Sequence, residues 1–331
     1  MSEGPTVSIV IPTLNEADNL PKCLGSIASQ DYPRELIEII VVDNGSTDAT
    51  RLIAEEAGAR ILHNDVKDAE ISKMTGLRDA RSDLFIYLDA DIELAAPDTL
   101  SRLVEPLRLN PSLAGAFPRF DAKRSAPAIE RYLHYHPLEL DPVLDFFCAS
   151  IESIATDRME KWLVCDFSRP RVPPVGICLY RRDILLAVLK DCKRYMDIDV
   201  PILLAKSGSP LFAYVPSARI YHSNISALSG LVRRRLRNLR EVFLPHREVR
   251  KFRYLSAGVR GILKAALLAL LANTPFYFAI RGVSKAVVHR DIACLYEPVS
   301  AFVLTDALII AMLRDREGRR FIKSTLFGGK T

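Results

Sequence analysis

Asp89-Ala90-Asp91 is the pattern in this 331-residue chain with the plainest chemistry. The two carboxylates follow a short apolar run, Leu84 to Leu88, and so leave a buried strand where the backbone begins to turn. Hard divalent cations such as Mg²⁺ or Mn²⁺ need oxygen ligands, usually one or two carboxylates plus substrate phosphates. A cation held there would neutralise charge on a departing diphosphate, which is Lewis-acid catalysis. A D-x-D pair also occurs in solvated turns and helix caps, so its setting decides its meaning. Asn15, Glu16 and Asp43 lie just past two further apolar runs, Val7 to Ile11 and Ile37 to Val42. Chance does not readily gather four acceptor-rich positions at strand ends.

The elements that must position these residues alternate. Val7 to Ile11 reads as a strand stopped by Pro12, and a helix capped at Asn15 or Asp18 runs to Ala28. Ile37 to Val42 is a second strand, broken by Asn44-Gly45. A helix from Thr47 or Asp48 to Ala57 ends at Gly58. Arg60 to Leu62 and Leu84 to Leu88 supply two more strands. Apolar strands separated by helices predict a parallel sheet covered on both faces, with its site at the carboxyl ends of the strands. Later, Arg182 to Leu189 reads as a helix and Phe212 to Val215 as a strand.

The ordered motifs resemble glycosyltransferase family 2. Val7-Ser8-Ile9-Val10-Ile11-Pro12-Thr13-Leu14-Asn15-Glu16 is similar to that family's opening strand. Val41-Val42-Asp43-Asn44-Gly45-Ser46-Thr47-Asp48 is similar to its second-strand signature, and Leu88-Asp89-Ala90-Asp91 to its metal motif. Met196-Asp197-Ile198-Asp199-Val200, followed by Gly208, Val215-Pro216 and Tyr221-His222, has the spacing of its catalytic block. The resemblance covers roughly residues 5 to 223. It implies an α/β GT-A fold, a Rossmann-like mixed sheet covered by helices, and an inverting transferase acting on a UDP- or GDP-sugar with Mn²⁺ or Mg²⁺. It places Pro12, Leu14 and Glu16 around the nucleoside, and Asp43 against the base. Asp89 falls near the ribose and sugar, and Asp91 becomes the principal metal ligand, with His222 completing the set. Lys73 becomes a partner of the diphosphate, as a point charge rather than a fork. Asp197 becomes the base that deprotonates the acceptor, with Asp199 as runner-up. One departure stands out: Met196 occupies a position where the family usually carries Glu.

Other chemistry-bearing residues read more plainly. His134 and His136 look like surface or packing residues, and Arg181 and Arg182 suit salt bridges as well as a phosphate. None of the six cysteines forms a C-x-x-C pair, which fits buried thiols in a reducing compartment. Met1 to Thr6 lacks a basic region followed by an apolar stretch, so a cytosolic catalytic part is expected.

The composition changes after His222. A boundary is expected near residue 225, giving a catalytic domain over 1–225 and a basic, apolar helical region over 226–331. From Ser229 to Lys264 there are 11 Lys or Arg against 2 Glu. Val232, Leu236, Leu239 and Phe243 share one helical face, and Arg233, Arg234, Arg237 and Arg240 cover much of the rest, as expected at an anionic membrane surface. Two apolar stretches follow, Ile262 to Ile280 and Ile292 to Leu313. They contain Lys264, Asn273 and Pro275, then Glu297, Pro298 and Asp306. A central carboxylate costs a spanning helix about 2.5–3.5 kcal/mol, and the loops around both stretches are all basic, so all prefer the cytosolic side. Helices lying in the interface, or dipping in and returning, are therefore expected. With a net charge of only +5 and no nucleic-acid motif, nucleic acid is not an expected partner. The expected partners are a nucleotide sugar, a lipid-linked or glycan acceptor, and the cytoplasmic face of a membrane. A polyprenyl-phosphate acceptor and an inactive donor-binding or scaffold protein are the alternatives. A nucleotidyltransferase would need a Gly- and Lys/Arg-rich loop after the first strand, which Pro12 to Glu16 is not.

Overall fold

The computed structural model describes residues 4–246, 250–253, 259–274 and 276–327. The first three residues, Pro275 and the Gly328-Gly329-Lys330-Thr331 tail lie outside them, as does part of the basic stretch. The chain divides into two compact units. One takes the residues up to Asp121 together with Ala149–Ser223; the other takes Ala122–Cys148 together with Asn224 onward.

The first unit is built on one ten-stranded sheet. Its strands are β1 (Val7–Thr13), β2 (Ile37–Asp43), β3 (Arg60–His63), β4 (Leu84–Tyr87), β5 (Ile92–Leu94), β6 (Gly115–Asp121), β7 (Ala155–Arg158), β8 (Leu163–Asp166), β9 (Leu179–Arg181) and β10 (Leu211–His222). The order is β3-β2-β1-β4-β9-β6-β10-β8-β7, with β5 paired to β10. The first four strands are parallel, as the apolar runs predict. Strand β9 runs antiparallel to both β4 and β6, which makes the sheet mixed. Pro12 lies within β1 rather than ending it. The pairing of β1 with β4 stops at Val10, so the missing amide of Pro12 faces no strand on that side.

The helix over Ala69–Asp79 presses closely on the sheet. Asp68 caps it, its Oδ1 accepting from the amides of Glu70 and Ile71 at 3.0 and 3.2 Å. A Cβ placed on Gly76 would sit 2.3 Å from Val10 Cγ1, so only glycine permits this approach to β1. Asn44 and Asn64 fix the same helix at the carboxyl edge: both Ser72 Oγ and Asn64 Nδ2 donate to Asn44 Oδ1, at 2.7 and 2.9 Å.

The second unit is helical, with its main segments at Ala128–His134, Pro142–Phe147, Leu228–Arg237, Val259–Ala272, Phe276–His289 and Tyr296–Arg314. A single cut near 225 does not describe this division. Residues 122–148, expected in the first domain, contribute Ile129, Tyr132, Leu133, Val143 and Phe147 to a core shared with Leu231, Leu268 and Leu304. A polar knot lies inside this unit. Glu297, fully buried, pairs with Arg281 at 3.0 Å and Lys285 at 2.7 Å and accepts from the Tyr132 hydroxyl at 2.9 Å. Arg131 and Tyr135 both hold Asp291.

The basic amphipathic helix departs from expectation. Val232 packs on the main core of its own unit, and Leu236, Leu239 and Phe243 on a smaller cluster, so that face is not free for a membrane. Arg234 pairs with Glu139 at 2.7 Å and is not a solvated charge. Exposed apolar side chains lie instead on the following helices: Leu263, Leu270, Phe276, Ile280, Val287 and Ile292 are each more than 60% exposed.

Gly76→Ala should lower the melting temperature by several degrees. The helix propensity of Ala favours it by about 1 kcal/mol, but crowding against Val10 costs about 1–3 kcal/mol and should win. An unchanged or raised melting temperature would show that the helix does not need this close approach.

Candidate active site

The loops after β1 and β2 lace together into one cradle. Asn15 adopts a left-handed conformation, φ 57°, and Gly45 another at 84°. The Asn15 amide donates to Ser46 Oγ at 2.9 Å, and the Thr47 amide donates to Asn15 Oδ1 at 2.8 Å. Glu16 and Ala17 donate their amides to Thr50 Oγ1 and Asp48 Oδ2. Asn tolerates the left-handed region better than other side chains, and its side chain here closes the cradle. Pro12 is buried under this loop, Leu14 is exposed at its lip, and Glu16 is half-buried. Asp43 is buried, and its carboxylate accepts from the Ser46 amide at 3.2 Å.

The Asp89-Ala90-Asp91 turn follows β4. The Leu88 amide donates to Val10 O and the Ile92 amide to Asp89 O, so the chain reverses directly into β5. Strand β5 pairs with the end of β10, placing His222 opposite Ile92. His222 Nε2 consequently lies 3.5 Å from Asp91 Oδ2. The backbone holds this end too, the Ser223 amide donating to Asp91 O at 3.1 Å. Glu16 belongs to the same field. Its carboxyl is raised above the usual range, chiefly by burial and further by Asp91, Asp89 and Asp48, against a hydrogen bond from Asn19 that lowers it. Crowded carboxylates with an imidazole beside them form an oxygen-rich donor set that a hard or borderline divalent cation fits.

Lys73 is almost fully enclosed. Only 3% exposed, its ammonium is 3.3 Å from Glu70 Oε1, 3.6 Å from Asp89 Oδ1 and 3.7 Å from Asp197 Oδ2, and 4.1 Å from the centre of the Tyr87 ring. Burial disfavours its charge, but Asp89, Glu70 and Asp197 outweigh this and hold its pKa above the ordinary value. Asp197 opens a short 3₁₀ turn, Asp197–Asp199, ahead of the helix Val200–Lys206. Its Oδ2 accepts from the Tyr87 hydroxyl at 3.1 Å and its Oδ1 from the Ile198 amide at 2.9 Å. Asp199 is buried.

Sequence reasoning missed Glu70 and Tyr87. Burial pushes the Glu70 carboxyl up to about 8, with Lys73 opposing and Asp197 and Asp89 adding to the rise. The spacing of Glu70 and Lys73 on one helix was a signal for an ion pair, but it reads equally as a solvated one. Arg181 is a structural residue, donating to the carbonyls of Leu113, Leu107 and Asn110. His134 and His136 belong to the helical unit, 3.9 Å from Glu139 and 3.5 Å from Asp145, as suits packing residues.

Residues 8–153 match the profile of Glycosyl transferase family 2. This match marks a family 2 glycosyltransferase domain in the chain. The glycosyltransferase AglE of Haloferax volcanii is 34% identical over 93 residues, 26% of this chain and 31% of the relative. A Methanococcus voltae protein named dolichyl N-acetyl-alpha-D-glucosaminyl phosphate 3-beta-D-2,3-diacetamido-2,3-dideoxy-beta-D-glucuronosyltransferase is 34% identical over 91 residues, 25% of this chain and 28% of the relative. The chain thus spans under a third of the length of either curated relative. Its fold is the GT-A fold. The mannosyltransferase PcManGT of Pyrobaculum calidifontis, solved in complex with GDP-Man and Mn²⁺, shares it with a TM-score of 0.57 and 19% identity, covering 95% of this chain and 87% of that one. In the family 2 domain, Asp43, Asp89 and Asp91 occupy the carboxyl edge of the parallel half of the sheet.

Proposed function

We propose that this chain transfers a sugar, with inversion, from a UDP- or GDP-sugar to a hydroxyl of a lipid-linked acceptor, and that it needs Mn²⁺ or Mg²⁺. The observation that carries this reading is the meeting of Asp91 with His222, and of Asp89 with Asp197 across Lys73, at the carboxyl edge of a family 2 sheet. Asp91, Asp89 and His222 would hold the cation, and their oxygen and imidazole donors suit it. When bound, it supplies charge neutralisation to the diphosphate leaving group.

The chain's own residues divide the remaining work. Pro12 and Leu14 line the nucleoside cradle with Glu16, and Asp43 accepts a hydrogen bond from the base. A carboxylate accepts from the N–H of uracil or guanine alike, so both donors remain in play. Asp197 takes the proton of the acceptor hydroxyl as its oxygen bonds to the anomeric carbon. The bond from that carbon to the phosphate oxygen breaks, and the nucleoside diphosphate departs with its electron pair. A single displacement of this kind inverts the anomeric carbon.

A lipid carrier for the acceptor rests on two observations. The relative from Methanococcus voltae is named for a dolichyl-linked sugar phosphate. The helical unit of this chain turns apolar side chains outward along Val259–Ala272, Phe276–His289 and Tyr296–Arg314 while Glu297 pairs inside with Arg281 and Lys285. Residues 292–314 are long and apolar enough to cross a bilayer, with mean hydropathy 1.6. The buried Glu297 within that stretch favours a helix lying in the interface, on the cytoplasmic face that the basic loops prefer.

Asp91→Ala should abolish transfer and remove the metal dependence of donor binding in calorimetry; unchanged turnover in Mn²⁺ would sink the metal assignment. Asp197→Asn should slow turnover by about 10²- to 10⁴-fold with donor affinity preserved. Near-normal turnover would refute the base and favour a polyprenyl phosphate, whose oxygen attacks without giving up a proton. Val287 and Val288 are each 72% exposed. Replacing both by Glu should weaken flotation with anionic vesicles by about tenfold or more, whereas unaltered flotation would show that this surface is not the anchor.

A further inference from the structure

The place of Lys73 conflicts with a role as diphosphate ligand. Its ammonium meets three carboxylates, from Glu70, Asp89 and Asp197, and the face of Tyr87, with almost none of its surface exposed. A cation already enclosed in this way has little surface left for a phosphate. Its helix is also held rigidly. Asp68 caps it, Gly76 lets it lie against Val10, and Ser72 ties it to Asn44. The ammonium therefore stands at a fixed height beneath the carboxyl edge.

The two carboxylates nearest the proposed reaction both reach this cation, Asp89 Oδ1 at 3.6 Å and Asp197 Oδ2 at 3.7 Å. Asp89 follows β4 and belongs to the donor side of the proposed site; Asp197 belongs to the acceptor side. Without a charge between them they would repel. Tyr87 completes the hold. It is the last residue of β4, two before Asp89, and its hydroxyl donates to Asp197 Oδ2 at 3.1 Å. Gly176 borders this contact: a Cβ there would lie 3.6 Å from the Tyr87 hydroxyl and 3.9 Å from Asp197 Oδ2, in ordinary van der Waals range. Tyr195 packs edge-on against the Tyr87 ring, with centroids 5.3 Å apart, and keeps it from turning.

We infer that Lys73 and Tyr87 are positioning residues that tie Asp89 to Asp197, and that Lys73 does not bind the donor diphosphate. Together they set the gap across which the sugar moves. This rests on the transferase reading above and assigns two residues within it. Misplacement of reacting groups by about 1 Å costs on the order of 10²-fold in rate, so a device that fixes the gap should act on kcat and spare donor binding.

The test compares nucleoside diphosphate with monophosphate. Full-length wild-type, Lys73→Met and Tyr87→Phe chains are titrated in Mn²⁺ with UDP and UMP, and with GDP and GMP, by calorimetry. Steady-state kcat and donor KM are measured beside these affinities. In Lys73→Met, the ratio of diphosphate to monophosphate affinity should stay within about threefold of wild type, while kcat falls by about 10²-fold. Tyr87→Phe keeps the ring and removes only the hydroxyl, so it reports even where Lys73→Met does not fold. It should lower kcat by about tenfold or more, the worth of a hydrogen bond to a charged group, with donor KM unchanged. A loss of about tenfold or more in diphosphate affinity alone, in Lys73→Met, would overturn the inference and leave the transferase reading intact. A normal kcat in Tyr87→Phe would overturn it as well. A wild-type chain that binds none of the four nucleotides would overturn both the inference and the reading beneath it.

Discussion

Carboxylates from three separate elements converge at the carboxyl edge of this sheet, and one buried ammonium keeps them together. Glu70 comes from a helix, Asp89 from the turn after β4, and Asp197 from a 3₁₀ turn more than a hundred residues later. An uncompensated charge on the buried Lys73 would be costly. The rest of the unit is arranged to make Lys73 available there. Gly76 lets its helix approach β1, the Asp68 cap fixes the helix start, and the Asn44–Asn64–Ser72 hydrogen bonds fix its height.

Much of the parallel half of the sheet was legible because its central strands are buried on both faces and read as mostly apolar runs. Ile37 to Val42 and Leu84 to Leu88 are such runs, and the structure places β2 and β4 there within one residue at either end. The antiparallel half was largely hidden. Strand β10 extends from Leu211 to His222, yet only Phe212 to Val215 announces it, because Ser217 and Arg219 interrupt the pattern beyond. Strands β5 and β9 have three residues each, too short to show a period. Among the candidate site residues, the pair Asp89 and Asp91 was visible from its pattern together with its place after an apolar run. The enclosure of Lys73 was not, because it depends on Asp197, which a linear reading does not bring near.

The helical unit shows the same limit in another form. The periodicity of Leu228–Arg237 marks an apolar face but not what covers it, and the structure covers it with the unit's own core. The Phe276–His289 helix has a weaker outward signal because Arg281 and Lys285 interrupt it in sequence. Both turn inward to Glu297, leaving Ile280, Val283 and Val287 exposed. Apolar side chains left outside while neighbouring ionic groups pair within are what the proposed contact with lipid would require. The same sequence pattern supports opposite exposures, and only the partners of the charged residues distinguish them.

The carboxylates after β4 are proposed to bind a nucleotide sugar through a divalent cation. Thermal melting of the full chain against a panel of UDP- and GDP-sugars, each with Mn²⁺ or with a chelator, tests it most directly, since a ligand that binds the folded state raises its melting temperature by linkage. Sugars of one base should raise the melting temperature in a concentration-dependent way with Mn²⁺ and lose most of that effect with the chelator. No rise with any nucleotide sugar, or an equal rise with the metal removed, would contradict it.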